Sequence, residues 1–189
     1  MVDFEKDIEN SLQVLKTGGI IIYPTDTVWG IGCDATNEKA VEKIYQLKNR
    51  SDEKAMIVLV ADEKDILNHV AAPDLSVFDY LEKTKKPTTV IYGGAIGFAD
   101  NLIGMDGSIA IRICQENFCR QLIKRFRKPI VSTSANISGE QVAKIFTEIS
   151  DEIKRGVDYI VNYRQNDKKI AEPSSLIKWN NGVVEILRN

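Results

Sequence analysis

Several clusters of residues have the types and spacing to do chemistry. Lys48, Arg50 and Lys54 lie close together in LKNRSDEKAMIVLV, just ahead of an apolar run. Three cations at a sheet edge suit a triphosphate, Arg through a planar fork and Lys as a point charge. The same cluster also suits a solvated helix end, where the macrodipole favours cations. No Walker A glycine loop accompanies it. Arg112 sits inside SIAIRIC, whose alternation puts Ser108, Ala110 and Arg112 on one face of a strand. A charge there must reach solvent or a partner, because an unpaired buried charge is very costly. That partner is either an anionic ligand or a structural carboxylate. In PIVSTSANISGE a strand runs into Ser132, Thr133, Ser134, Asn136 and Ser138. Such a density of neutral hydrogen-bonding groups suits a polar ligand, or the capping of a following helix.

IIIYPTDTVWGIGCDA (20–35) sets a puzzle. Gly30, Gly32 and Ala35 spell G-x-G-x-x-A, the phosphate-binding turn of dinucleotide enzymes. That fingerprint needs its first glycine directly at the end of a strand, with an acidic residue about 20 positions further on. Here Tyr23 to Trp29 intervene, Pro24 cannot continue a ladder, and the downstream region holds Lys48, Arg50 and Lys54. The glycines are therefore read as a tight backbone turn. PTDT becomes either a hydroxyl-rich loop at a sheet edge or an ordinary turn.

The elements that must position these groups follow from hydrophobic periodicity. Phe4, Ile8, Leu12 and Leu15 recur at helical spacing ahead of Gly18-Gly19. A buried strand is expected at Ile20–Tyr23, and Asn37 caps a second helix carrying Val41, Ile44 and Leu47. Further strands are expected at Met56–Val60, Thr88–Tyr92, Ser108–Ile113, Pro129–Ser132 and Tyr159–Val161. Helices are expected near 62–69, 73–83, 115–126 and 145–155. SSLIKW, the turn NNG and VVEILR close the chain as a hairpin. The alternation predicts an α/β fold with an open, twisted, mixed sheet and flanking helices. The glycine-rich stretch 93–108 is long for a connection and is expected to be a lid or binding loop.

The 189 residues suit one domain, 1–189, with an ordinary globular balance of 43% hydrophobic and 28% charged residues. A net charge of −2 predicts no bulk attraction to nucleic acid. No apolar run approaches the roughly 20 residues that span a bilayer. The N-terminus MVDFEKDIEN lacks a secretory pattern. Cys33, Cys114 and Cys119 read as reduced thiols in a cytoplasm. With no C-x-x-C and His69 as the only histidine, no protein metal site is expected.

Taken in order, YPTDTVWGIGCDA, Lys48-Asn49-Arg50 with Lys54, SIAIR, Ser134-Ala135-Asn136, PSSLI (173–177) and ILR (186–188) resemble the YrdC family of threonylcarbamoyl-AMP synthases. The resemblance covers about residues 8–188, in the short single-domain form, and identifies PTDT as a substrate loop. It implies a YrdC-like sheet around a large concave, positively lined cavity. The implied nucleotidyltransferase joins L-threonine, bicarbonate or CO2, and ATP into threonylcarbamoyl-adenylate, releasing pyrophosphate. A separate transferase complex then modifies tRNA beside the anticodon, and tRNA itself is a candidate partner. Thr27, Arg112 and Ser174 resemble threonine-site residues. Lys48, Arg50 and Lys54 resemble triphosphate contacts, with Lys48 and Arg50 catalytic. Ser108, Ser132, Ser134, Asn136 and Arg188 resemble further nucleotide contacts. Magnesium is implied only as a bridge between ATP phosphates, without a tightly bound organic cofactor.

The pattern departs from the family at Ser51 and Ala55, where proline is frequent. It departs again at Leu59, where the larger form often has histidine, and at Lys178, which replaces an acid. Two rival readings are an RNA-binding module without adenylate chemistry and a carbamoyl-adenylate domain of the hydrogenase-maturation type. The latter's acylphosphatase-like and zinc-finger segments are missing from this sequence.

Overall fold

The computed structural model describes residues 4–49, 56–180 and 182–189. Helix α1 (Glu5–Lys16) buries Ile8 and Leu15, and Gly18, at φ +73°, turns the chain into β1 (Ile21–Tyr23). The predicted glycine turn is instead a second strand, β2 (Gly30–Gly32), antiparallel to β1. Its glycines serve close packing. A Cβ on Gly32 would lie 2.4 Å from the Val131 carbonyl oxygen and 2.6 Å from the Tyr23 ring. Helix α2 (Glu38–Leu47) starts where the Asn37 side chain accepts from the Ala40 amide.

The remaining elements are β3 (Ile57–Val60), α3 (Glu63–His69), α4 (Ser76–Lys83), β4 (Thr88–Tyr92), β5 (Ile109–Ile113), α5 (Asn117–Phe126), β6 (Ile130–Ser134), α6 (Asp151–Arg155), β7 (Tyr159–Ile160), β8 (Ser175–Asn180) and β9 (Val183–Arg188). The helix expected over 145–155 divides. A 3-10 turn at Phe146–Glu148 ends when Ile149 plugs into the core, and Ser150 caps the short α6.

Among the described residues the strands form one open, mixed sheet in the order β7-β1-β2-β6-β3-β5-β4-β8-β9. Side chains alternate between its faces. Val58, Val60, Val90 and Ile111 enter one core with α2, α3 and α4, whereas Ile21, Tyr23, Leu59 and Ile130 enter another with α1 and α5. The second pair of helices covers only part of its face. The sheet floor running Ser132, Ile57, Ala110, Ile91 across β6, β3, β5 and β4 stays open beside it.

The stretch 93–108, expected to be a lid or binding loop, is packed into the core through its middle, while Ile96 and Met105 are exposed. Phe98, Ala99 and Leu102 are buried in the core on the α2 side. The Ala99 amide donates to the Ala35 carbonyl at 2.9 Å, and Tyr45 Oη to the Asn101 carbonyl at 3.0 Å. Its length is used to bury apolar side chains. His69 is half-buried, with Nδ1 3.1 Å from the Ile96 carbonyl.

Candidate active site

The open floor is the base of a cleft of about 340 Å³. One wall is the PTDT loop. Pro24 interrupts the ladder after β1, and Thr25 then organises the turn. Thr25 Oγ1 donates to the Val28 carbonyl at 2.8 Å and accepts from the Thr27 amide at 3.0 Å. Two outside contacts pin the loop: the buried Cys119 thiol donates to the Pro24 carbonyl, and Arg164 Nη1 to the Thr25 carbonyl at 3.1 Å. Burial holds the Cys119 thiol well above its ordinary pKa, so it remains protonated and able to donate.

Arg112 rises from β5 into this cleft and is only 3% exposed. Its Nη2 donates to Thr27 Oγ1 at 3.1 Å and lies 3.1 Å from Asp26 Oδ1. The Asp26 contact is an ion pair rather than a well-aimed hydrogen bond, since Oδ1 satisfies no hydrogen-bond geometry. The other carboxylate oxygen accepts from the Gln115 amide at 3.0 Å. Arg112 Nε is buried and has no hydrogen-bond partner among the described residues. The structural carboxylate therefore accounts for one end of the guanidinium, and an unused donor remains for a ligand.

Opposite stand Ser174 and Arg188. Ser174 Oγ lies 2.8 Å from Thr89 Oγ1, and Arg188 donates from Nε to the Ser174 carbonyl at 3.1 Å. Arg188 is thus tied down although one residue from the end. Its pKa is lowered by loss of solvation and by the nearby Arg112 charge. Two guanidiniums close enough to repel, with Asp26 beside one of them, favour an anion between them.

Ser132 and Ser134 line the β6 side of the cleft. Asn136 lies just beyond, its side-chain amide donating to the Ile137 and Glu140 carbonyls at 2.9 Å while its buried Oδ1 has no partner among the described residues. Lys48 is 1% exposed, and its ammonium donates to the Ser134 and Asn136 carbonyls. From there it holds the turn after β6 instead of reaching into open solvent. Ser108 is half-buried beside the Asp106 turn and is outside the cleft lining among the described residues. Arg50, Lys54, Ser51 and Ala55 lie outside the described residues. Leu59, the position of the family's histidine, is fully buried in the α1–α5 core.

Sequence reasoning missed Asp26, although a carboxylate next to Thr27 was the signal for Arg112's partner. It also missed the apolar lining by Trp29, Met56, Ile57 and Leu176, which carries no local chemical signature. A larger cavity of about 600 Å³ opens elsewhere, at the far ends of β3 and β5, and holds none of the expected site residues.

The Sua5/YciO/YrdC family model, described as telomere recombination, matches residues 13–189. A protein from Idiomarina loihiensis named threonylcarbamoyl-AMP synthase is 33% identical over 172 residues, covering 89% of this chain and 91% of that one. Among solved structures, P. abyssi Sua5 complexed with L-threonine superposes with a TM-score of 0.87 at 19% identity. That match covers all of this chain but only 55% of the longer P. abyssi protein. E. coli YciO gives a TM-score of 0.83 at 20% identity, over 97% of this chain and 88% of that one. At those identities the structural matches establish a shared fold.

Proposed function

The chain belongs to the Sua5/YciO/YrdC family, and from that premise we propose that it is an L-threonylcarbamoyladenylate synthase, carried by one YrdC-like domain of residues 1–189. The observation that carries the reading is Arg112, which lines the cleft together with Thr27, Ser174 and Arg188 and keeps a buried Nε without a hydrogen-bond partner among the described residues. An amino acid enters with its carboxylate on Arg112 and its hydroxyl among Thr27, Ser174 and the apolar wall. The fork geometry of Arg suits that carboxylate.

Threonine's amine captures CO2, losing a proton to form a carbamate. A carbamate oxygen attacks the α-phosphorus of ATP, the bond to the β-phosphate oxygen breaks, and pyrophosphate leaves with its magnesium. No covalent enzyme intermediate is needed. Catalysis consists of positioning the reactants and stabilising charge as it moves to the leaving group. Ser132, Ser134 and Asn136 place the nucleotide, with Ser108 at the outer edge of the strand. Lys48 shapes the turn that carries Ser134 and Asn136 by donating to their carbonyls. Arg50 and Lys54 supply the remaining charge to the triphosphate, with Mg2+ entering as the ATP complex. The product is consumed by a transferase that modifies tRNA.

Pyrophosphate release from ATP and Mg2+, with threonine and bicarbonate omitted in turn, tests this. Release should require both. Folded protein that releases none under any combination, while binding RNA in a salt-dependent and threonine-independent way, would refute the synthase reading in favour of an RNA-binding module.

A further inference from the structure

The larger cavity lies at a place where α/β proteins characteristically bind ligands. Strands β3 and β5 are adjacent and parallel. The chain leaves β3 into α3 on one face of the sheet and leaves β5 into α5 on the other. Helices departing to opposite faces open a crevice outside the carboxyl ends of the strands. The 600 Å³ cavity is that crevice, and the residue following each strand, Ala61 and Cys114, borders or adjoins it.

Its walls have a definite chemistry. Cations come from Lys64, Lys85, Lys86 and Arg120. The carboxylates are Asp62, Glu63 and Glu82, and Asp62 is already engaged in capping α3 through the Lys64 amide. Arg120 Nε is buried without a hydrogen-bond partner among the described residues. An orphaned guanidinium donor is costly to keep unless something accepts from it. The floor and one side are apolar, from Ala61, Leu81, Pro87 and Ile113. We propose that this crevice is a second ligand site, distinct from the Arg112 cleft, for a small organic anion that has a flat apolar part and a phosphate or carboxylate. The anionic group binds Arg120 with Lys85, Lys86 being paired with Glu172 at 3.7 Å, and the apolar part lies on Pro87 and Ile113.

Two hydrogen-bonded routes join the crevice to the cleft. The Gln115 amide donates to Asp26, which pairs with Arg112. The Pro87 carbonyl accepts from Ser175, and Thr89 bonds Ser174. A ligand that orders the Gln115 turn therefore also biases the orientation of the Arg112 guanidinium. This coupling rests on the threonine-site reading above, whereas the binding does not.

The test is an amide NMR titration of the whole chain with phenyl phosphate, compared with inorganic phosphate. Saturable shifts should centre on residues 61–64, 84–88 and 115–120, with a Kd of about 1 mM or tighter. Arg120→Gln should weaken binding at least about tenfold, and the exposed Lys85→Glu, which cannot disturb the core, should do so as well. The amides of Asp26 and Thr27 should shift with the same midpoint. The site is refuted by no saturable shift in those segments up to about 10 mM, by shifts confined to Gly30 and Ser132–Ser134, or by unchanged affinity in both variants. Equal affinity for inorganic phosphate would refute the organic-anion class. Saturation that leaves Asp26 unmoved would refute the coupling. Because binding is read without turnover, none of these results depends on whether the protein makes an adenylate.

Discussion

Replacing Arg112 by lysine separates its two duties. Nη2 holds Asp26 and Thr27, both at 3.1 Å, while Nε is buried without a hydrogen-bond partner among the described residues. Arg112→Ala would confound them, because it strands the Asp26 carboxylate, whose side chain is 9% exposed. Breaking a buried pair costs about 3–5 kcal/mol of stability. Arg112→Lys keeps the positive charge next to Asp26 but loses the fork. A threonine carboxylate then forfeits one charge-assisted hydrogen bond, worth about 1.5–3 kcal/mol. Retained charge offsets part of that, so the threonine KM should rise about 10- to 100-fold. The KM for ATP should stay within about twofold. Initial rates of pyrophosphate release across a threonine series at saturating ATP measure the effect, with circular dichroism confirming the fold. A folded Arg112→Lys protein with an unchanged threonine KM would refute the assignment of the orphaned Nε to substrate and leave Arg112 as the structural partner of Asp26.

Lys48→Met removes a donor from the Ser134 and Asn136 carbonyls. Melting should show a loss of about 2–4 kcal/mol together with lower turnover; lost turnover at unchanged stability would mean that Lys48 acts on phosphate alone. Gly32→Ala would drive a Cβ to within 2.4 Å of the Val131 carbonyl oxygen and should destabilise by about 2–3 kcal/mol in urea unfolding, a result that wild-type stability would contradict. Asp7 links α1 to the segment after β7, accepting from Tyr159, Asn162 and Tyr163. Burial raises its pKa, but those hydrogen bonds outweigh burial and leave it below the ordinary 3.8. A lowered folded-state pKa gives stability that is complete above the unfolded value and is lost as pH falls through the folded one. Unfolding free energy should therefore decline on acidification below about pH 4, and Asp7→Asn should flatten that decline while costing about 1–3 kcal/mol at pH 7. Parallel pH profiles for the two proteins would exclude Asp7 as a contributor.

Much of the fold was legible because each long element carried its own period. The Ile8–Leu15 face, the Asn37 cap and the SSLIKW–VVEILR hairpin are local signals, and each lies where periodicity put it. The errors came where a distant neighbour decided the conformation. Gly30 and Gly32 look like turn residues, but they pair with β1 as strand residues, and at Gly32 the Tyr23 ring and the Val131 carbonyl occupy the space a side chain would need. Glycine content and length marked 93–108 as a lid or binding loop, yet Phe98 and Leu102 pack its middle into the core. The same limit applies to the candidate site. Arg112 was visible as a misfit charge in an apolar strand, and of the two partners weighed for it the structural carboxylate is present as Asp26, while Nε is left without a hydrogen-bond partner among the described residues. What no local pattern contained was the sharing itself. Asp26 and Arg112 are far apart in sequence and meet only because Pro24 stops β1 and turns the loop back over β5. A buried charge that is half satisfied from within the fold costs less to keep than an unpaired one, and it still has a donor to offer. On the proposed reading, that division predicts that the affinity of the cleft for a carboxylate depends on Asp26, which orients Arg112 without itself touching the substrate.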